Sequence, residues 1–223
     1  MQLPLRKRVV AEALGTFFLL AAVVGSGIMA ERLANGNSAV ALLANTAATG
    51  GALVALIITF GSMSGAHFNP LVTFAFASRG TLPWGDVPPY LVAQFIGAIC
   101  GTMAANMMFG LPVVFLSQHR RSGLPQMFSE FIATLGLLTV ILGARRLHVG
   151  VIALGVGGYI SAASWFTAST SFANPTVTFA RALSDTFAGI RPADVSGFVL
   201  AQCVAAVVVT QIFRWLLPVD EDN

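Results

Sequence analysis

Six apolar stretches, each long enough to cross about 30 Å of hydrocarbon as a helix, occupy most of this chain and leave few folds open to it. They run from Val9 to Ala30, Ala39 to Gly61, Val87 to Met108, Met127 to Ala144, Val149 to Thr167 and Val195 to Leu217. Inside a bilayer every backbone N–H and C=O must be bonded within the protein, so such stretches read as transmembrane helices. Charged residues are 9% of the total, against about 25% in an ordinary soluble domain. A soluble enzyme and a disordered tail are thereby excluded. Two further apolar stretches, Phe68 to Ser78 and Ala173 to Leu183, are too short to cross and read as re-entrant half-helices. The expected fold class is an all-α membrane protein with six transmembrane helices and two half-helices.

The formal net charge is +3, and the basic residues sit in short clusters between apolar runs. That distribution speaks of membrane topology and not of nucleic-acid binding. With a cytoplasmic N-terminus, Arg6, Lys7, Arg8, Arg79, Arg145, Arg146 and Arg214 fall on the cytoplasmic side, seven against five outside. The N-terminal cluster decides the orientation, with both termini cytoplasmic. The first span also resembles a secretory signal peptide, but it is longer than the usual apolar core of about 7 to 15 residues. Trp84, Trp165 and Trp215 fall near span ends, at headgroup level. Cys100 and Cys203 lie within apolar segments and read as buried structural thiols, and no metal site or cofactor is expected.

The chain repeats itself. AEALGTFFLL, with Glu12 and Thr16, matches SEFIATLGLL, with Glu130 and Thr134, at an offset of 118 for both pairs. Asn69-Pro70 matches Asn174-Pro175 at 105, and the segment around Gln94 matches that around Gln202 at 108. Each copy holds three spans, an odd number, so the second enters the membrane from the opposite side. The expectation is one channel domain, 1–223, made of inverted repeats at approximately 1–110 and 124–218.

In each Asn-Pro, proline suits the first helical position, where its missing N–H has no bond to lose, and asparagine is a favoured N-cap. Two half-helices beginning at Asn69 and Asn174 from opposite faces meet N-terminus to N-terminus, each presenting unpaired N–H groups and roughly half a positive charge. Irregular backbone at 65–68 and 170–173 is tolerated at that depth only where it lines a cavity or is buried in protein. Glu12 and Glu130, inside spans, must face the bundle interior with partners. Repeat symmetry favours acceptors for the re-entrant backbone over a proton relay. Gly97 and Gly101 give a GxxxG spacing suited to close helix packing. Arg120 and Arg121, beside His119, read as a solvated or headgroup-facing cluster.

With SGAHFNP followed by Val72-Thr73, the second Asn-Pro, and glutamates in the first and fourth spans, the chain resembles the aquaporin, or major intrinsic protein, family over nearly its whole length. The resemblance implies a homotetramer in a lipid bilayer, each subunit with its own pore, in which Asn69 and Asn174 donate to the passing water oxygen. It also implies that Glu12 and Glu130 hold the re-entrant loops and that the His67 carbonyl lines the path. The sequence departs from the family's Asn-Pro-Ala at Leu71 and Thr176, where changed packing is expected more than changed conduction. One residue further on, where the family commonly has arginine, stands Val177. Counting back without gaps from the two asparagines adds Thr49, Ala162 and Ser171 to the expected constriction. That ring has no aromatic and no charge, so the inferred pore is wide. Arg181, about two turns past Asn174, reads as an anchor for the half-helix end rather than a substitute for the missing charge.

These features predict a passive channel for water and small uncharged solutes, with glycerol, urea and trivalent arsenic acids as candidates. The last follow from a resemblance to bacterial aquaglyceroporin-like channels associated with arsenic resistance, which also implies the plasma membrane, as a bacterial inner membrane. An ion-coupled secondary transporter using Glu12 and Glu130 is the competing class, and a membrane junction or scaffold protein on the same fold is a third. No nucleophile lies beside a base, so an enzyme is not expected.

Overall fold

The computed structural model describes residues 3–217. The few residues beyond either end, including the last position of the second repeat, lie outside that range. Six helices have the length and hydropathy to cross a membrane. They are α1 (Leu5–Leu33), α2 (Ser38–Ser64), α4 (Val87–Met108), α5 (Leu124–Ala144), α6 (Val149–Phe166) and α8 (Pro192–Leu216), and the half-helices are α3 (Pro70–Ser78) and α7 (Pro175–Arg181). The fold class is as expected. The first span is longer than its apolar core, since Arg6, Lys7 and Arg8 continue the helix outward.

Local chemistry sets the ends. Asn37 caps α2 by accepting from the N–H groups of Ala39 and Val40, and Gly65 ends it at φ 91°, a left-handed conformation natural to glycine. Helices α4, α5 and α8 each carry proline in the first turn, where no helical bond is lost. Crossing elements approach closely through glycine. A Cβ on Gly97 would collide with the Ala13 carbonyl, and one on Gly101 with the Phe17 carbonyl, so α4 lies directly on the α1 backbone. Helices α2 and α6 cross through Gly50 and Gly157, a pair whose spacing within each span carries no motif.

Helix α5 packs on α8 as α1 does on α4, and α2 on α6 joins the two halves. Arg214 Nη2 donates to the Ser78 carbonyl and Arg79 Nη2 to that of Leu217, tying the end of α8 to the end of α3. On the far face, the segment 109–123 runs beside the chain after α7, with an isolated bridge between Phe115 and Ser184.

Apolar side chains face outward along the spans, among them Val10, Leu14, Phe18, Val92, Ile96, Leu154, Leu200 and Val204. Trp84, Trp165 and Trp215 are exposed near helix ends. Two expectations are corrected here. Cys100 and Cys203 are exposed, not buried, because they sit on helix faces turned away from the bundle, where hydrocarbon takes the place of a protein core. Arg121 is buried, not solvated: its Nε and Nη atoms donate to the carbonyls of Gly189, Ser169 and Phe187. The returning segment after α7 supplies two of these acceptors.

Candidate functional site

The two half-helices meet in the middle of the bundle, and two asparagines set the geometry there. Asn69 Oδ1 accepts from the Leu71 N–H at 2.9 Å, and Asn174 Oδ1 from those of Thr176 and Val177 at 3.0 and 3.4 Å. With each oxygen fixed as a cap, each amide nitrogen must point away from its own helix. Asn69 Nδ2 donates to the Ala173 carbonyl and Asn174 Nδ2 to the Phe68 carbonyl, both at 2.8 Å. An amide nitrogen carries two hydrogens. One is committed to the opposite loop, and the other is free for a guest in the cavity that both residues line.

The loops leading into these caps use the same backbone device. At one and three residues before each asparagine, non-glycine residues take positive φ: Phe68 and Ala66 at 49° in one loop, Ala173 and Ser171 at 50° and 53° in the other. Such a conformation costs about 1–2 kcal/mol per residue. It is held by the buried glutamates. Glu12 accepts from Ser64 Oγ and the His67 N–H on Oε1, and from the Phe68 N–H and Gln94 Nε2 on Oε2, over 2.6–2.9 Å. Glu130 accepts from the Phe172 and Ala173 N–H groups and from Gln202 Nε2 over 2.6–2.9 Å. The His67 and Phe68 N–H groups turn to Glu12 and those of Phe172 and Ala173 to Glu130, and the carbonyls of residues 65–67 and 170–172 take no protein donor among the described residues.

His67 is buried, its Nδ1 3.1 Å from Thr73 Oγ1 and its ring centroid 4.9 Å from Phe76 and 5.4 Å from Tyr90. It lines the main cavity and also a second cavity bordered by Arg8, Ser64, Thr81 and Tyr90.

The main cavity has a volume of about 300 Å³. On α2 its lining follows one face, Leu42, Asn45, Thr49, Leu53, Ile57 and Gly61, and on α6 the face of Val149, Ile152, Val156, Ile160 and Ser164. From Leu42 to Gly61 is about 28 Å at 1.5 Å per residue, close to the hydrocarbon thickness of a bilayer. One end is at Arg145, Leu147 and Val149, on the face where α1 begins, and the other at Leu42, Thr170 and Arg181.

Of the expected constriction, Thr49, Ser171 and Val177 line this cavity, and the Ser171 hydroxyl is buried without a protein partner. Ala162 does not line it and is corrected. It is exposed on the outer face of α6. At about 100° per residue it stands some 200° around the helix from Ile160, and Ile160 and Ser164 hold the inner face instead. The gapless count failed because an irregular loop lies between α6 and Asn174. Leu71 and Thr176 are buried and absent from the lining, as are Pro70 and Pro175.

Arg181 is a second correction. It does anchor the half-helix end, its Nε donating to the Ala188 carbonyl, but its side chain also lines the cavity. The inner stripes on α2 and α6 were missed, although each follows a step of three or four residues. Spans that are apolar on nearly every face hide such a stripe.

Arg121 packs its guanidinium 5.0 Å from the centre of the Phe172 ring. Burial pushes its pKa down to about 10, which leaves it protonated at neutral pH.

The model of the family described as "Major intrinsic protein" matches residues 1–150. The aquaglyceroporin AqpS of Rhizobium meliloti (strain 1021) is 51% identical over 213 residues, 96% of this chain and 91% of that protein. The probable aquaporin NIP7-1 of Arabidopsis thaliana is 36% identical over 143 residues, 64% of this chain and 50% of that protein. The X-ray structure of the aquaglyceroporin from Plasmodium falciparum superposes with a TM-score of 0.78 at 23% identity, covering 96% of this chain and 98% of that one.

Proposed function

The chain belongs to the major intrinsic protein family, and from that premise we propose that its passive pore takes small uncharged solutes larger than water. It is a multi-pass membrane channel for water and small solutes, and the finer reading concerns which solutes pass and how. The observation that carries it is the continuous cavity, which runs from Arg145 to Leu42 past Asn69 and Asn174. At the midplane the free hydrogens of the two amides donate to a passing oxygen, and the open carbonyls of 65–67 and 170–172 accept from it. A water so held, with both lone pairs engaged, cannot relay a proton along a chain of neighbours. Glu12 and Glu130 hold the loops, with His67 between Thr73 and Tyr90 as part of the same support.

Width follows from Thr49, Ser171 and Val177, now joined by Ile160 and Ser164. A valine in place of a guanidinium leaves room for polyols and urea. Neutral arsenic acids belong to the same size class. The domain is single, 1–223, in inverted halves at approximately 1–110 and 124–218. The outward apolar faces suit lipid and three further copies in a homotetramer, with both termini cytoplasmic in a bacterial inner membrane. Stopped-flow light scattering of proteoliposomes tests the reading. Glycerol and urea rates well above those of protein-free vesicles, and indifferent to ion gradients, are expected. Rates that require an ion gradient would show coupled transport, and no flux at all would point to a scaffold.

A further inference from the structure

One turn past Val177, α7 ends in Arg181, whose place on the lumen the loss of arginine at 177 makes consequential. The residue is 6% exposed and lines the cavity. Its guanidinium lies 3.4 Å from the centroid of the Phe172 ring, and that ring meets Phe198 edge-on at 5.2 Å. Its Nε is held by the Ala188 carbonyl. Neither Nη atom bonds to a described residue, and both keep accessible surface in a side chain that lines the cavity. Arg121 shares the Phe172 ring but is committed to carbonyls through all three nitrogens.

The acid whose charge bears on both guanidiniums is Glu130, and its oxygens are engaged by the re-entrant loop. Asp194 is occupied by the Arg121 N–H and by Arg191, and Asp185 by the Gln118 N–H. Glu31 accepts from the Phe187 N–H, so of the acids at this end only Glu130 acts on both guanidiniums, and the charge beside the Phe172 ring is positive.

We propose that Arg181 is the charge-selecting residue of this pore, supplying one turn along α7 the cation that position 177 lacks, flat against Phe172 and with its Nη donors turned to the solute. The proposal rests on the cavity being the solute path. Two tasks that one side chain can perform are divided here. Thr49, Ser171 and Val177 set the width, and Arg181 sets the sign of charge that is refused. The planar fork of the guanidinium suits solutes with two adjacent acceptor oxygens, such as vicinal diols, while an inorganic cation meets a fixed like charge in a poorly solvated passage.

The test uses the full chain in proteoliposomes and measures potassium leak beside glycerol efflux in the same preparations. Arg181→Met, which keeps the side-chain length and loses the charge, should raise potassium leak about tenfold, as expected when a unit charge is removed from a low-dielectric passage. Glycerol efflux should fall as well, because the Nη donors that meet its adjacent oxygens are lost, yet stay above that of protein-free vesicles. Arg181→Lys should keep exclusion. Phe172→Leu retains the charge but removes its platform and should leak to an intermediate degree, which provides a readout if Arg181→Met does not fold. Glycerol efflux with potassium leak at the wild-type level in Arg181→Met, or in Phe172→Leu if only that variant folds, overturns the proposal. Wild-type protein that passes neither water nor glycerol overturns the channel reading itself.

Discussion

Glu12 is the residue whose replacement the structure resolves most finely. Its two oxygens take four donors: Ser64 Oγ and the His67 N–H on one, the Phe68 N–H and Gln94 Nε2 on the other. In Glu12→Leu all four lose their acceptor. Gln94 keeps Thr73 Oγ1 as a partner and the Ser64 hydroxyl can rotate, but the two backbone N–H groups are fixed and buried. At about 1–3 kcal/mol for each orphaned donor, the cost is about 2–6 kcal/mol. Glu12→Gln is milder for a specific reason. With the new amide nitrogen on the Oε2 side, Gln94 can turn its amide over and accept through Oε1, an atom that has no partner in the native protein. Only the Phe68 N–H is then opposed, at a cost of about 1–3 kcal/mol. For a chain of this size each kcal/mol shifts the melting temperature by about 2–4 °C. Melting of the purified protein in detergent should therefore fall roughly twice as far for Leu as for Gln, and solute flux should follow the same order. Equal shifts for the two variants would refute this account of the loop. A Gln variant that melts normally yet conducts nothing would instead assign Glu12 to proton transfer.

Asn69→Asp and Asn174→Asp each replace an amide donor with an anion at the midplane, so cation leak should appear and neutral flux should fall; vesicles as tight to cations and as permeable to solutes as wild type would refute the assignment. Val177→Arg should lower glycerol and urea flux far more than water flux at equal reconstituted protein, and equal losses would mean a plugged or misfolded pore. Gly97→Leu forces a side chain into the α1 backbone and should destabilise by about 1–3 kcal/mol, read as early melting or loss of folded yield; normal melting would show that α1 and α4 can separate there. Cys100 and Cys203, exposed on the outer face, should react with a lipid-soluble maleimide in single protomers, and protection of either on reconstitution would mark a contact with a neighbouring copy.

Much of the architecture was legible because membrane spans are written in length and composition, and because Asn-Pro occurs twice in corresponding places. Glu12 and Glu130 could be assigned to the loops from symmetry and the cost of a buried charge. The register of the pore wall was less accessible. Residues 42, 45, 49, 53, 57 and 61 share a face marked by the polar Asn45 and Thr49, but the exposed Thr59 on the opposite side blurs that mark in a helix otherwise apolar nearly all round. Ala162 was misplaced because a fixed count cannot see the geometry of the loop at 167–173. Arg121 was misread because burial of an arginine depends on carbonyls that come from residues far along the chain, at Ser169, Phe187 and Gly189.

The reciprocal bonds at the midplane, Asn69 to the Ala173 carbonyl and Asn174 to the Phe68 carbonyl, also have a mechanical consequence. A carrier built from inverted halves works by rocking one half against the other, so that its binding site faces each side in turn and its rate saturates with the cycle. Here each half is latched to the other at the pivot itself, by two hydrogen bonds whose donors are also the helix caps. Rocking would break both latches at once, while each Oδ1 cap stays within its own half. The latches make the molecule an aperture that cannot turn over, and its throughput should rise linearly with solute concentration where that of a carrier would level off.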